Sequence, residues 1–350
     1  MGIMYEKSFN DDFFVSLVKK NDKELFGIQH TSRRIYSLNF ETNTESLFKD
    51  LSFEDDGVFK LFQTAVRVEN KVYILPFNSD NLVVLENDDV RIVDFSKLLT
   101  NCNNGKFMNA IKLEHYLVLI PYSSDLIVWY DLEKEEMAKT VNIKDLKKEG
   151  DLFYSAVITN NTLYLPSMMS DTIIGYNITS DNLFSFSTGL VNDGFTYIAE
   201  ESDKLYLLAK SKPSLIEYNL LSKNVSEKLE FPDGLKSYGK TYFDPKCTFL
   251  VDQYLYCIPG TANMAVRINI ETGKIEEISC LEEFLKNNSL DKGRFVFDGG
   301  VRDENKLYLQ YQNNVFVEFD TREQSVVKHE MMLNTKNAGL EYFLNNILSC

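Results

Sequence analysis

The chain is poor in the residues that mark many functional classes: seven prolines, five cysteines, three histidines and one tryptophan in 350 residues. Each shortage excludes something. Three scattered histidines with five cysteines supply no zinc-type ligand cluster, so no metal is expected. An odd cysteine count in a chain this long suits a reducing cytoplasm better than a disulfide framework. No apolar run approaches the roughly 18 residues of a spanning helix, so no membrane span is expected. The opening MGIMYEKSFN lacks the apolar stretch of a secretory signal. Positive charge is also scarce, with 37 Lys and Arg against 52 Asp and Glu, a net charge of −15. The basic doublets Lys19-Lys20, Arg33-Arg34 and Lys147-Lys148 are too short to form a stripe, which excludes nucleic acid as the main partner. What is abundant is apolar and aromatic: 44% and 13% of the residues, enough to exclude disorder and coiled coils.

That apolar content repeats. NKVYILPFNSDNLVVL from Asn70 recurs as HYLVLIPYSSDLIVWY from His115 and NTLYLPSMMSDTIIGY from Asn161. KLYLLAKSKPSLIEY from Lys204, YLYCIPGTANMAVRI from Tyr254 and KLYLQYQNNVFVEF from Lys306 continue the series, and ELFGIQHTSRRIYSL from Glu24 is a degraded first copy. Aligning them gives an anchor column of Phe26, Tyr73, Val118, Tyr164, Tyr206, Tyr256 and Tyr308, stepping by 42 to 52 residues. About ten residues before most anchors stands an aromatic with a small or apolar residue three further on. Phe62–Ala65, Phe107–Ala110 and Phe153–Ala156 are the clear pairs; Phe14–Leu17, Phe195–Ile198 and Phe295–Asp298 are looser.

Each unit therefore offers four short runs, A to D, rich in Val, Ile, Leu, Tyr and Phe and separated by polar turns. Four antiparallel strands per period of 40 to 50 residues predicts a propeller blade, because one small twisted sheet cannot cover both its faces alone. The pattern resembles the Kelch- and WD-type seven-bladed β-propellers over residues 10–331. The resemblance is one of pattern: no Gly-His…Trp-Asp pair occurs, Trp129 is the lone tryptophan, and a double glycine stands only at Gly299-Gly300. It implies an all-β fold of seven four-stranded antiparallel blades, and no family's functional residues carry over. The expected blades are 10–50, 58–97, 105–143, 151–189, 194–231, 240–280 and 293–331 of a single domain. Short helices are expected in the connections at 95–99, 144–148 and 280–286, with a C-terminal helical tail at 336–350.

In propellers generally, D-to-A and B-to-C loops share one rim around the channel mouth, and long loops on a rigid scaffold are where binding resides. The rim candidates are Arg33, Arg34, Asn78, Asp80, Tyr122, Asp125, Met169, Asp171, Lys210, Asn263, Tyr311 and Asn313. Following the aromatic column, Ser16, Thr64, Asn109, Ser155 and Tyr197 are expected to face the channel, where they bind a ligand or simply hydrate the pore. Asp80, Asp125 and Asp171 are the carboxylates that a glycosidase- or lyase-type pair would draw on; equally, they fit hydrogen bonding to their own turns. His30 is the single histidine on the rim and the one weak catalytic candidate.

GLKSYGKT at 234–241 matches the phosphate-loop pattern G-x-x-x-x-G-K-[ST], but a turn precedes it and Pro245 with strand-like runs follows it. The match reads as chance. With no nucleophile, base, metal or cofactor constellation, the sequence points to a non-catalytic module. It would recognise a protein or peptide of basic or mixed surface through the rim. The alternative is a lyase- or hydrolase-type enzyme acting on a small sugar-like or peptide substrate in the funnel.

Overall fold

A computed structural model describes residues 14–29, 33–54, 60–87, 89–99, 105–228, 231–237, 239–260, 262–287, 297–312 and 314–333. The seven repeats form seven antiparallel sheets, each with its four strands in the order A-B-C-D. Blade two is representative: A is Phe62–Val68, B is Lys71–Pro76, C is Asn81–Glu86 and D is Asp89–Asp94. The result is a seven-bladed β-propeller.

The anchor column lies on strand B of every blade and is buried throughout. Its cross-strand partners on strand A are Val18, Val66, Ile111, Val157, Ala199, Phe249 and Val301. Four residues before each partner comes the aromatic column: Phe14, Phe62, Phe107, Phe153, Phe195 and Phe297, all buried. In blade seven the register places Phe297 in this column, not the expected Phe295, which lies outside the described residues. In blade six the position is Pro245, which opens a short 3-10 turn, Pro245–Cys247, capped by Asp244. Period-two alternation sends these side chains to one face, where the neighbouring blade covers them.

The hydrophobic core is accordingly seven seams, one between each pair of adjacent blades. At the seam of blades seven and one, Phe316 and Tyr308 pack with Phe14, Leu17, Leu25 and Leu38. The ring is closed by more than packing. The chain leaves blade seven and adds a fifth strand, Met332–Leu333, parallel to the outer strand Thr44–Asp50 of blade one. Met332 N–H donates to Asn43 O at 2.9 Å, and Lys19 pairs with Asp303 at 2.8 Å across the same seam. Sequence order alone gave no reason to expect a strand crossing the seam.

Among the described residues one α-helix forms, Ser279–Asn287, between blades six and seven. The expected helices at 95–99 and 144–148 are single turns instead, with Phe95, Leu99 and Ile143 buried beneath them. Segments of five residues cannot repay helix nucleation without a longer apolar face. The tail at 336–350 lies outside the described residues. No helix of the described chain is long and apolar enough to cross a membrane.

Candidate functional site

The A strands line the central channel, and the five residues expected there all line one cavity of about 300 Å³. Most of them also stitch the ring together. Ser16 Oγ accepts from Ala65 N–H of the next blade at 3.0 Å, and Thr64 Oγ1 donates to Met108 O at 2.7 Å. Ser155 Oγ accepts from Ile198 N–H at 3.3 Å. Tyr197 meets the Leu250 backbone in blade six, and burial pushes its phenol pKa up to about 12. Asn109 instead turns back on its own strand, accepting from Ala110 N–H. Polar residues at this position satisfy backbone groups that a neighbouring sheet would otherwise bury unpaired.

A second stitch runs along the rim. The entry to strand A donates a backbone N–H to the preceding blade's B-to-C loop: Lys106 to Phe77 O, Phe153 to Tyr122 O, Phe195 to Ser167 O and Tyr242 to Lys210 O. These bonds, 2.8 to 3.0 Å long, fix the loops against one another. Gly194 makes one of these approaches possible. Its φ is +92°, and a Cβ there would lie 2.4 Å from Ser167 O.

The rim carboxylates are each engaged near their own loops, although Asp80 and Asp125 stay about half-exposed. Lys106, almost wholly buried, donates to Asn78 O at 3.1 Å, Ser79 O at 3.0 Å and Asp80 Oδ1 at 2.9 Å. Lys147 repeats the clasp one blade on, donating to Ser123 O and to Asp125 Oδ1 at 3.1 Å. Asp171 accepts from the Ser187 and Thr188 hydroxyls and from Gly189 N–H. None of the three lines the central cavity, so they hold turns rather than form a catalytic pair there.

The remaining rim candidates divide. Arg33 and Arg34 both reach Asp50, and Arg33 also donates to Glu54 O. Asn78 Oδ1 accepts from Gly105 N–H. Asn263 ties the loop at 234–236, accepting from Lys236 N–H and donating to Gly234 O. Tyr311 is buried against Phe284 and Phe297 rather than presented. Met169 is 47% exposed, with Lys210 Nζ 3.4 Å from its sulfur. Tyr122 is half-buried, its ring 5.4 Å from that of Phe77. His30 and Asn313 lie outside the described residues.

Sequence reasoning missed the residues that give the cavity its chemistry. Lys246, carried on the 3-10 turn of blade six, donates to Gln63 Oε1 of blade two at 3.1 Å and approaches Val15 O at 3.4 Å. Gln63 is 5% exposed with Nε2 unpartnered, and Gln310 is 1% exposed with neither amide atom partnered. Burial pulls the Lys246 pKa down, against the pull of Asp244. These residues occur once each instead of in every blade, so no repeat signal marks them.

The stretch 234–241 is no phosphate loop. Its described residues run through turns with one isolated bridge, Ser237 to Ala262. The described residues 231–233 just before it are not strand, and no α-helix opens after it before the strand Thr248–Val251. Cys247 and Cys257 are buried free thiols, their pKa values pushed up by burial.

No protein-family model and no curated protein sequence matches the chain. Solved structures do. Virginiamycin B lyase from Staphylococcus aureus is 12% identical with a TM-score of 0.62, over 89% of this chain and 96% of that one. The computationally designed Ika8 protein is 11% identical with a TM-score of 0.58, over 92% and 88%. BamB from Moraxella catarrhalis is 12% identical with a TM-score of 0.53, over 88% and 85%. At such identities the likeness concerns the fold alone, and the fold is that of the seven-bladed β-propellers.

Proposed function

We propose that the chain is a non-catalytic recognition propeller of the cytoplasm, binding a protein or peptide segment across the rim of B-to-C and D-to-A loops. One observation carries the reading. On three successive blades Asp80, Asp125 and Asp171 are engaged by partners within or beside the loop, while Phe77 and Tyr122 stay partly exposed and Met169 largely so. Aromatic residues and methionine are the types enriched at interface cores, and here they ride on loops already fixed by backbone bonds between blades. Little ordering entropy then remains to be lost on binding. The chain's charge of −15 favours encounter with a partner of basic or mixed surface. Because Asp80 and Asp125 are spent on their clasps, contact is assigned to the apolar arc and not to the rim carboxylates. The fold itself does not decide between recognition and catalysis.

Comparative capture from source-cell lysate tests this, with wild type beside a Phe77→Asp/Met169→Asp double variant and a Val327→Asp control on an outer strand. The expected result is one companion, retained by wild type and control and lost by the rim variant. Equal retention by all three would show that the rim is not the contact.

A further inference from the structure

We propose that the central cavity is a binding site for a small carboxylate that also bears a hydroxyl or amino group. Among the described residues no carboxylate lines this cavity; the charged side chains that line it are Lys246 and Arg302. Arg302 is occupied at one end, donating to the Glu304 and Leu250 carbonyls. Lys246 is not fully occupied. Of its three ammonium protons, one goes to Gln63 Oε1 at 3.1 Å and one points to Val15 O at a long 3.4 Å. Beside it, in the same lining, the Gln63 amide N–H₂ has no hydrogen-bond partner and is a second donor available to a carboxylate.

Gln310 sets the second requirement. Its side chain is 1% exposed, lines the same cavity, and has neither Oε1 nor Nε2 hydrogen-bonded. A buried amide unsatisfied at both ends calls for a group that donates and accepts together, which a hydroxyl or amine next to the carboxylate supplies. Gly299, the strand partner of Gln310, lines the same cavity. Its φ is +152°, and a Cβ there would touch the Lys246 stem at 3.7 Å. The double glycine at 299–300 thus has a local cause, since a Cβ on Gly300 would meet Leu309 Cδ2 and Tyr308 O at 2.8 Å.

The charges around Lys246 are Asp244, Asp298 and Lys60, all outside the cavity lining. Asp244 is engaged in capping the turn, accepting from Lys246 N–H at 2.9 Å. Burial disfavours the Lys246 ammonium, and an anion seated beside it would restore that charge. A volume of about 300 Å³ is at the small end for ligand sites, which fits a short acid and excludes a folded peptide.

Calorimetry and thermal shift on the full chain, with glycolate, L-lactate, D-glycerate and L-serine, test the assignment. Lactamide, glycerol and sodium chloride at matched ionic strength are the comparators. The expected result is one-to-one binding of at least one acid, with no binding of lactamide. Lys246→Met and Gln310→Glu should each weaken it at least tenfold. Should Lys246→Met fail to fold, Gln310→Glu decides alone, because it adds a carboxylate where the acid would lie. No acid binding above lactamide and salt, or wild-type affinity in Gln310→Glu, would overturn the proposal and leave the cavity to water.

Discussion

Single residues in this ring act through the close approach of one blade to the next. Gly194 is the sharpest case, with φ at +92° and carbonyl oxygen Ser167 O 2.4 Å from where a Cβ would stand. Gly194→Ala should cost about 2–3 kcal/mol, strain and displacement of the Met168 loop together. Urea unfolding measures it, and a loss under about 0.5 kcal/mol, the range of neutral surface changes, would refute the close approach. Glu318 makes a different kind of test. The His329 imidazole at 3.4 Å, and after it Lys306, holds its carboxyl below the ordinary value of 4.5. A folded pKa below the unfolded one means that the stabilisation is complete above pH 4.5 and fades as pH falls through the lower folded value. Glu318→Gln should therefore flatten the acid limb of the stability curve below pH 4.5. Parallel acid limbs in the two proteins would contradict the pairing.

At the scale of elements, loops and edge strands carry the specific design. Lys106→Met removes the donor that gathers two carbonyls and Asp80 under the blade-two loop. It should cost about 1–3 kcal/mol, as expected when buried acceptors lose their partner. Hydrogen exchange should then rise first at 77–81; protection unchanged there would show that the clasp is decorative. The fifth strand of blade one is tested by Met332→Pro, which deletes the 2.9 Å bond to Asn43 O. A loss of about 1 kcal/mol with faster exchange on Thr44–Asp50 is expected, and no change would mean that the seam closes by packing alone. These elements also show where sequence reading stops. The anchor and aromatic columns were legible because burial repeats every blade and periodicity exposes repetition. Asp80, Asp125 and Asp171 repeat as well, so their columns were found, yet their role was open: a turn carboxylate looks the same whether it faces a partner or its own loop. Lys106 stands directly before the aromatic column at Phe107, but lysine is so commonly solvated that one such residue carries little signal. The two-residue closing strand is too short for any pattern.

For the whole molecule, seven seams of similar chemistry make a rigid annulus with two sites of different legibility. The channel wall was read from sequence because Ser16, Thr64, Asn109, Ser155 and Tyr197 share a register with the aromatic column. The groups that break the symmetry, Lys246, Gln63 and Gln310, were not, since each occurs in a single blade and they come to line one cavity only when the ring closes. The central functional claim is recognition through the rim. Native mass spectrometry on tagged protein drawn gently from its source cells tests it most directly, run beside the Phe77→Asp/Met169→Asp variant. The account predicts a stoichiometric protein companion on the wild type that is absent from the variant. A chain that flies alone, or a companion held equally by both, would contradict it.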